Sequence, residues 1–313
     1  MRSAPVPAVH VGYACTNRCV FCAQGELRAE DAGSGPVEAE LERLAESGAR
    51  SVAFVGGEPT LHAELPSWIA RARRASFTQI VVQTNGRRLA YPAYAHELAT
   101  TGVTAVEISM AGPRADVHDY HTRVPGSFRQ TVRGARSAAS AGMRVSSTLV
   151  LTRSNFRHLS EQVTLAAQLG ARALLLAVAA PRGSAYADFG RVVPRVESVA
   201  HELRSAAELG RKSSFPLFTR GLPACLIPGL DLTPLELLGP SWVELPHVQG
   251  PPCEACALRS TCPGLETAYA DRYGFSELRP VEKADPDAFT RAREQAAPVA
   301  TDFAGLGPTE PIH

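Results

Sequence analysis

Seven cysteines occur in the 313-residue sequence, and they fall into two groups: Cys15, Cys19 and Cys22, then Cys225, Cys253, Cys256 and Cys262. The first group reads Cys15-Thr-Asn-Arg-Cys19-Val-Phe-Cys22, a C-x3-C-x2-C run. Three thiolates so spaced can ligate three irons of a cubane cluster and leave the fourth iron open to a substrate or cofactor. Zinc is the competing chemistry, but a structural zinc site takes four closed ligands, usually from C-x2-C pairs. The second group supplies four thiolates, enough to close one 4Fe-4S cluster, although Cys253-Glu-Ala-Cys256 with two further cysteines is also a zinc-ribbon spacing. Cys225 stands well before its partners, in Pro223-Ala-Cys225-Leu-Ile-Pro228, where a partly buried structural thiol is the alternative.

Some thirty-five residues after the first group comes Gly56-Gly57-Glu58-Pro59. Two glycines let a backbone approach a ligand closely, and a carboxylate can accept from an ammonium group; without the cysteine run the same four residues would read as a turn. The cysteine spacing, Phe21 before the third cysteine and Gly56 to Pro59, in this order, resemble the radical S-adenosylmethionine (radical SAM) superfamily. The resemblance implies that S-adenosylmethionine chelates the open iron through its amino and carboxylate groups. It also implies reductive cleavage to a 5′-deoxyadenosyl radical that abstracts a substrate hydrogen, the cofactors supplying the hard chemistry.

Ser109-Met-Ala-Gly-Pro, with Val117-His118-Asp119-Tyr120 and Gly126-Ser127-Phe128 after it, looks like the stretch following the fourth strand in SPASM-type members, and Leu151-Thr-Arg-Ser-Asn155-Phe156 is similar to the end of their fifth. By that resemblance Gly56, Gly57, Glu58, Pro59, Asn85, Ser109 and Arg123 are candidate cofactor-binding residues. His118 and His121 lie at i, i+3 with no third ligand nearby, so they are expected to pack or cap rather than bind metal. Cys253-x2-Cys256-x5-Cys262 resembles part of the SPASM pattern, whose next cysteine falls here at Glu266. The resemblance therefore implies one auxiliary 4Fe-4S cluster, as in the shortened twitch variants, held by Cys225, Cys253, Cys256 and Cys262.

Short β-rich runs alternate with amphipathic helical stretches from about residue 7 to about residue 210, which predicts an α/β fold of parallel βα units. Six strands are expected: Ala8 to Tyr13, Ser51 to Val55, Gln79 to Thr84, Val103 to Ser109, Arg144 to Leu151 and Ala171 to Val178. The cysteine loop, Gly56 to Pro59, Thr84-Asn85-Gly86 and Ser109 all fall at strand C-terminal ends, where barrel chemistry gathers. The expected architecture is a partial (β/α)6 TIM-like barrel over residues 1–212, a small irregular auxiliary-cluster domain over 213–280 and a helix and tail over 281–313. Seven prolines between 222 and 252 exclude regular helix or sheet there, and a helix is expected near Pro286 to Gln295.

Thirty-two Lys and Arg against thirty-one Asp and Glu give a formal charge of +1, which provides no global field for nucleic acid or an acidic membrane. No apolar run suits a signal peptide or a membrane span, so a cytoplasmic protein is expected, in which clustered cysteines read as metal ligands before disulfides. With all seven cysteines assigned to clusters, none remains to donate a hydrogen atom or carry a methyl group. Net oxidation or cross-linking of a small-molecule biosynthetic intermediate fits that inventory, with an electron donor such as flavodoxin or ferredoxin. A ribosomal-peptide maturase of the same superfamily is the alternative, although with the cysteine loop beginning at residue 15 no leader-binding segment is expected ahead of it. A non-catalytic iron-sulfur or zinc redox sensor would keep the cysteines but has no use for Gly56 to Pro59 or Ser109.

Overall fold

Strands and helices alternate along the chain in the computed structural model, which describes residues 5–25, 27, 34–243, 245–283, 299–300 and 302–304. β1 (Ala8–His10) precedes α1 (Ser34–Glu46), β2 (Ser51–Val55) precedes α2 (Leu65–Arg74), and β3 (Gln79–Thr84) precedes α3 (Pro92–Thr101). β4 (Ala105–Ser109) is followed by α4 (Ala115–Thr122) and α5 (Ser127–Ser140), and β5 (Arg144–Leu151) by α6 (Leu159–Gln168). After β6 (Leu174–Val178) come α7 (Gly183–Ala187), α8 (Phe189–Val192) and α9 (Val196–Lys212), then β7 (Leu217–Arg220) and β8 (Thr233–Pro234). The eight strands form one sheet in chain order with every pairing parallel.

Because each strand lies beside its predecessor, the twisted sheet curls around an interior, with β1 and β8 as its edges. All six expected strands are present, three of them with the expected bounds. The sheet continues through β7 and β8 into residues the proline density had marked as irregular. Four residues and two residues, one of them proline, are too short to carry a readable alternation.

Period-two alternation sorts the strand residues. Val52, Phe54, Ile80 and Val82 pack under the helices, whereas Ala53, Val55 and Val81 face the interior. The helices supply the matching face; in α2, Leu65, Trp68, Ile69 and Ala72 are buried at i, i+3, i+4 and i+7. The interior is filled at the N-terminal ends of the strands. There Phe303 packs edge-on against Phe218, and buried Asp302 accepts hydrogen bonds from Gln79, Arg144 and Arg172, which stand at or just before the starts of β3, β5 and β6. Among the described residues the barrel interior opens at the C-terminal ends of the strands.

Beyond β8 the chain proceeds by one-turn helices, as its prolines require. β9 (His247–Val248) pairs antiparallel with β10 (Leu265–Glu266), which runs into α10 (Thr267–Tyr273). Glu266 caps α10 by accepting from the Tyr269 N–H, and the Tyr269 hydroxyl donates to Glu277 while accepting from the Val196 N–H, tying this region to the barrel. The helix expected near Pro286 to Gln295 lies outside the described residues. Among the described residues no helix is long and apolar enough to cross a membrane.

Candidate active site

A cavity of about 290 Å3 opens at the C-terminal ends of the strands, and Cys15, Cys19 and Cys22 all line it. The loop bearing them is fixed by backbone bonds from three directions. The N–H groups of Gly57 and Glu58 donate to the carbonyls of Gly12 and Ala14, both at 2.8 Å. Those of Arg18 and Val20 donate to Thr122 and His121 at the end of α4, and Ser184 N–H, after β6, donates to the Cys22 carbonyl. Two further groups reach Cys15 itself: the Asn17 N–H donates to its sulfur at 3.4 Å, and the Asn85 side-chain amide lies 3.9 Å from the same sulfur and 3.1 Å from Thr16 Oγ1. N–H to sulfur bonds favour the thiolate, the form that ligates metal.

Gly56 and Gly57 border the cavity, and their lack of a side chain is a packing requirement. A Cβ on Gly56 would stand 2.3 Å from the Gly12 carbonyl oxygen, and one on Gly57 would stand 2.2 Å from that of Tyr13 and 2.3 Å from that of Ala14. The close approach is thus between two loops of the protein.

Glu58 is 1% exposed, and its side chain holds loops together. Oε1 accepts from Thr60 N–H (3.2 Å), Thr60 Oγ1 (2.6 Å) and Thr84 Oγ1 (2.6 Å), while Oε2 accepts from Asn85 N–H (2.7 Å). The carboxylate thereby locks the turn after β2, opened by buried Pro59, to the end of β3. Ser109 and Asn85 line the cavity with the cysteines. Arg123 is placed apart from them: it is exposed, in the left-handed region at φ 56°, at the C-terminal cap of α4.

The two histidines of α4 pack, as expected. His121 donates through Nδ1 to the Val117 carbonyl (2.6 Å) and accepts at Nε2 from Thr152 and Ser154 hydroxyls (both 2.8 Å). His118 accepts at Nδ1 from Ala111 N–H, and burial pushes its pKa down to about 4. The nearby Asp119 explains the match around Gly126-Ser127-Phe128: its carboxylate accepts from Gly126 N–H, Ser127 Oγ and Phe128 N–H and so caps α5. Asn155 joins the ends of β4 and β5 by donating to the Ala111 and Val150 carbonyls.

Arg87 is a positioning residue that the sequence reading missed. It donates to the Thr16 carbonyl (2.7 Å), to Asn17 Oδ1 (3.0 Å) and to Gln130 (2.6 Å), clamping the cysteine loop from the β3 side. Its place directly after Asn85-Gly86 was the available signal. Gly183 was missed as well: it sits at φ 51°, and a Cβ there would meet the Cys22 and Ala23 carbonyl oxygens at 2.5 Å.

The opposite wall belongs to the C-terminal ends of β6 and β7 and to the segment that carries the second cysteine group, with Arg182, Arg220, Glu236, His247 and Glu266 among its members. Burial pushes the Cys225 thiol up to about 11, opposed by a backbone hydrogen bond from Arg279 and with smaller upward pushes from Cys262, Cys256 and Cys253, which puts those three within electrostatic reach of Cys225. Val281 N–H donates to the Cys256 sulfur at 3.4 Å. Among the described residues no three His, Cys, Asp or Glu side chains converge as ligands of one metal ion. A cubane makes no such demand, since each thiolate takes a separate iron.

The chain is similar to known proteins over part of its length. The mycofactocin maturase MftC of Mycobacterium tuberculosis (strain CDC 1551 / Oshkosh) is 35% identical over 170 residues, 51% of this chain and 41% of that protein. The AdoMet-dependent heme synthase of Oleidesulfovibrio alaskensis is 29% identical over 186 residues, 57% of this chain and 46% of that protein. The chain thus spans about half the length of the curated relatives it matches. Native anSMEcpe with bound AdoMet shares the fold, with a TM-score of 0.60 at 15% identity over 95% of this chain and 98% of that one. Residues 9–161, which hold the cysteine loop, Gly56 to Pro59 and the strands β2 to β5, match the model of the Radical SAM superfamily.

Proposed function

We propose that Cys15, Cys19 and Cys22 hold the 4Fe-4S cluster at which S-adenosylmethionine is cleaved, that Cys225, Cys253, Cys256 and Cys262 hold one auxiliary 4Fe-4S cluster, and that the enzyme oxidises or cross-links a small-molecule biosynthetic intermediate. One observation carries the reading: a single cavity has the three-cysteine loop on one side and the segment bearing the other four cysteines on the other. The donor types fit, with three cavity-lining thiols in a loop fixed by protein hydrogen bonds and, in the segment that supplies the facing wall, Cys225 within electrostatic reach of Cys253, Cys256 and Cys262. When bound, the first cluster supplies the electron that cleaves the cofactor to a 5′-deoxyadenosyl radical.

The chain's own residues prepare that site. Asn17 and Asn85 direct N–H groups at the Cys15 sulfur, and Arg87 and Glu58 hold the loops on either side of it. Gly56, Gly57, Asn85 and Ser109 form the polar rim on which the cofactor is oriented, and Phe21, Val150, Ala177 and Trp242 give apolar walls that exclude water from reactive groups. A small reductant such as flavodoxin or ferredoxin completes the system.

Anaerobically reconstituted protein, reduced with dithionite and given S-adenosylmethionine, should form 5′-deoxyadenosine, detected by mass spectrometry. No 5′-deoxyadenosine from protein with a full complement of iron would refute the catalytic reading. About four irons and one zinc per chain would refute the auxiliary cluster.

A further inference from the structure

The cysteine loop has two sides. Cys15, Asn17, Cys19 and Cys22 line the cavity, whereas Thr16 and Arg18, which alternate with them in the chain, are exposed and do not border it. The Arg18 N–H donates to the Thr122 carbonyl, and Arg87 spans from the Thr16 carbonyl to Gln130 in the first turn of α5. Those bonds set the outer side of the loop against the end of α4 and the start of α5.

Charge on that outer side is of one sign. Arg18 on the loop, Arg123 at the cap of α4 and Arg129, Arg133 and Arg136 on α5 are all exposed. The three on α5 follow at i, i+4 and i+7, on the helix face opposite buried Ser127, Thr131 and Ala138. Among the described residues none of the five guanidinium groups has a hydrogen bond or an ion pair. Residues 15–22 and 123–140 hold no Asp or Glu that could neutralise them. The neighbouring acids are engaged or few. Asp119 accepts from Gly126 N–H, Ser127 Oγ and Phe128 N–H, Asp116 pairs with Arg114, and α3, packed beside α5, brings only Glu97. In a chain with thirty-two basic and thirty-one acidic side chains, this strip is a local positive field that the overall balance conceals.

We propose that the arginine strip from Arg18 along α5 is the docking surface for the electron donor, an acidic one-electron carrier protein of the flavodoxin type. The proposal rests on the proposed function in taking the cysteine loop as the site of a cluster, and it names the surface that the reductant uses. One electron leaves the donor's reduced flavin and enters the site held by Cys15, Cys19 and Cys22, so the donor is oxidised by the one electron that the site gains. The cavity side of the loop is given to cofactor and substrate, which leaves the outer side for a protein-sized partner. Exposed guanidinium groups with no ion pair to break steer such a partner in and fix its orientation. A nucleic acid would meet the same charges and is the competing occupant. Placement favours the donor, because the strip begins at Arg18, the neighbour of Cys19 on the loop that carries the thiols.

The probe is an acidic flavodoxin, titrated calorimetrically into anaerobically reconstituted protein, a readout independent of turnover. Raising the salt from about 50 to about 200 mM should weaken binding several-fold. Arg129→Glu combined with Arg133→Glu should weaken it by about tenfold or more, whereas the same charge change at exposed Arg204 and Arg211 of α9 should leave it within about twofold. Formation of 5′-deoxyadenosine driven by reduced flavodoxin should fall with affinity in the α5 variant. Formation driven by reduced methyl viologen, a small cation that needs no docking surface, should be unchanged.

Equal weakening by the α5 and α9 variants would overturn the proposal, since net charge rather than this surface would then set the affinity. So would undiminished flavodoxin affinity in the α5 variant, or a poly(dT) oligonucleotide that binds the native protein more tightly than flavodoxin and is released by the same two substitutions. If the α5 variant does not fold, Arg129→Gln with Arg133→Gln removes the charge, keeps the side-chain length and decides by the same comparison. Absence of S-adenosylmethionine cleavage with methyl viologen would refute the radical function and leave the binding result standing.

Discussion

Glu58→Ala separates two roles for the acidic residue of the Gly-Gly-Glu-Pro loop. If the side chain serves the ligand, its removal weakens S-adenosylmethionine binding and leaves the fold intact. The structure gives it a different load, four donors from the turn after β2 and the end of β3. The two threonine hydroxyls can rotate to other acceptors after truncation, but the backbone N–H groups of Thr60 and Asn85 cannot. Two buried N–H groups left unpaired cost about 1 to 3 kcal/mol each, or about 4 kcal/mol together. At about 2.1 cal/mol/K of unfolding entropy per residue, a 313-residue chain should then melt about 6 °C lower. Glu58→Gln keeps the shape and one acceptor oxygen, so it should lose roughly half as much. Circular dichroism melting of the reconstituted proteins, paired with calorimetric titration of S-adenosylmethionine, checks both quantities. A melting temperature within 1 °C of native together with a tenfold loss of affinity would refute the loop-locking role and return Glu58 to the ligand.

Gly57→Ala puts a methyl group within 2.3 Å of two carbonyl oxygens of the cysteine loop, so it should displace that loop and lower iron incorporation at the first site, read as iron per chain after reconstitution. Replacing Cys253, Cys256 and Cys262 together by Ala should reduce the iron content from about eight to about four per chain, whereas a variant still holding about eight would remove those residues from cluster ligation. Burial pushes the His118 pKa down to about 4 from the ordinary 6.5 of an imidazole, so between those values the unfolded chain binds more protons than the folded one and stability rises with pH. The contribution is complete above about pH 6.5 and is lost as the pH falls toward 4, the loss reaching about 2 kcal/mol at pH 5. Comparing melts at pH 5 and 7.5 in the native protein and His118→Gln should show a flatter dependence in the variant, and identical slopes would refute the assignment.

The parts of this protein legible in the sequence are those whose physics is local. Short β-rich runs between helical stretches marked the six main strands, three of them with their bounds, because strand propensity is set by a segment's own residues. Cys15, Cys19 and Cys22 lie within eight residues, so their grouping was readable without knowing the fold, and all three line one cavity. β7 and β8 were not, because strands of four and two residues are selected by the edge already built beside them. The role of Glu58 could not be read either: its donors come from Thr60 and from Thr84 and Asn85, and the latter reach it only when β3 pairs with β2. Arg87 on the cysteine loop and Glu236 facing it from the far wall depend likewise on the curl of the sheet. Sequence specifies which chemical groups exist and their local spacing. Which of them share a cavity, and which are consumed in holding loops together, is decided by contacts between segments far apart in the chain.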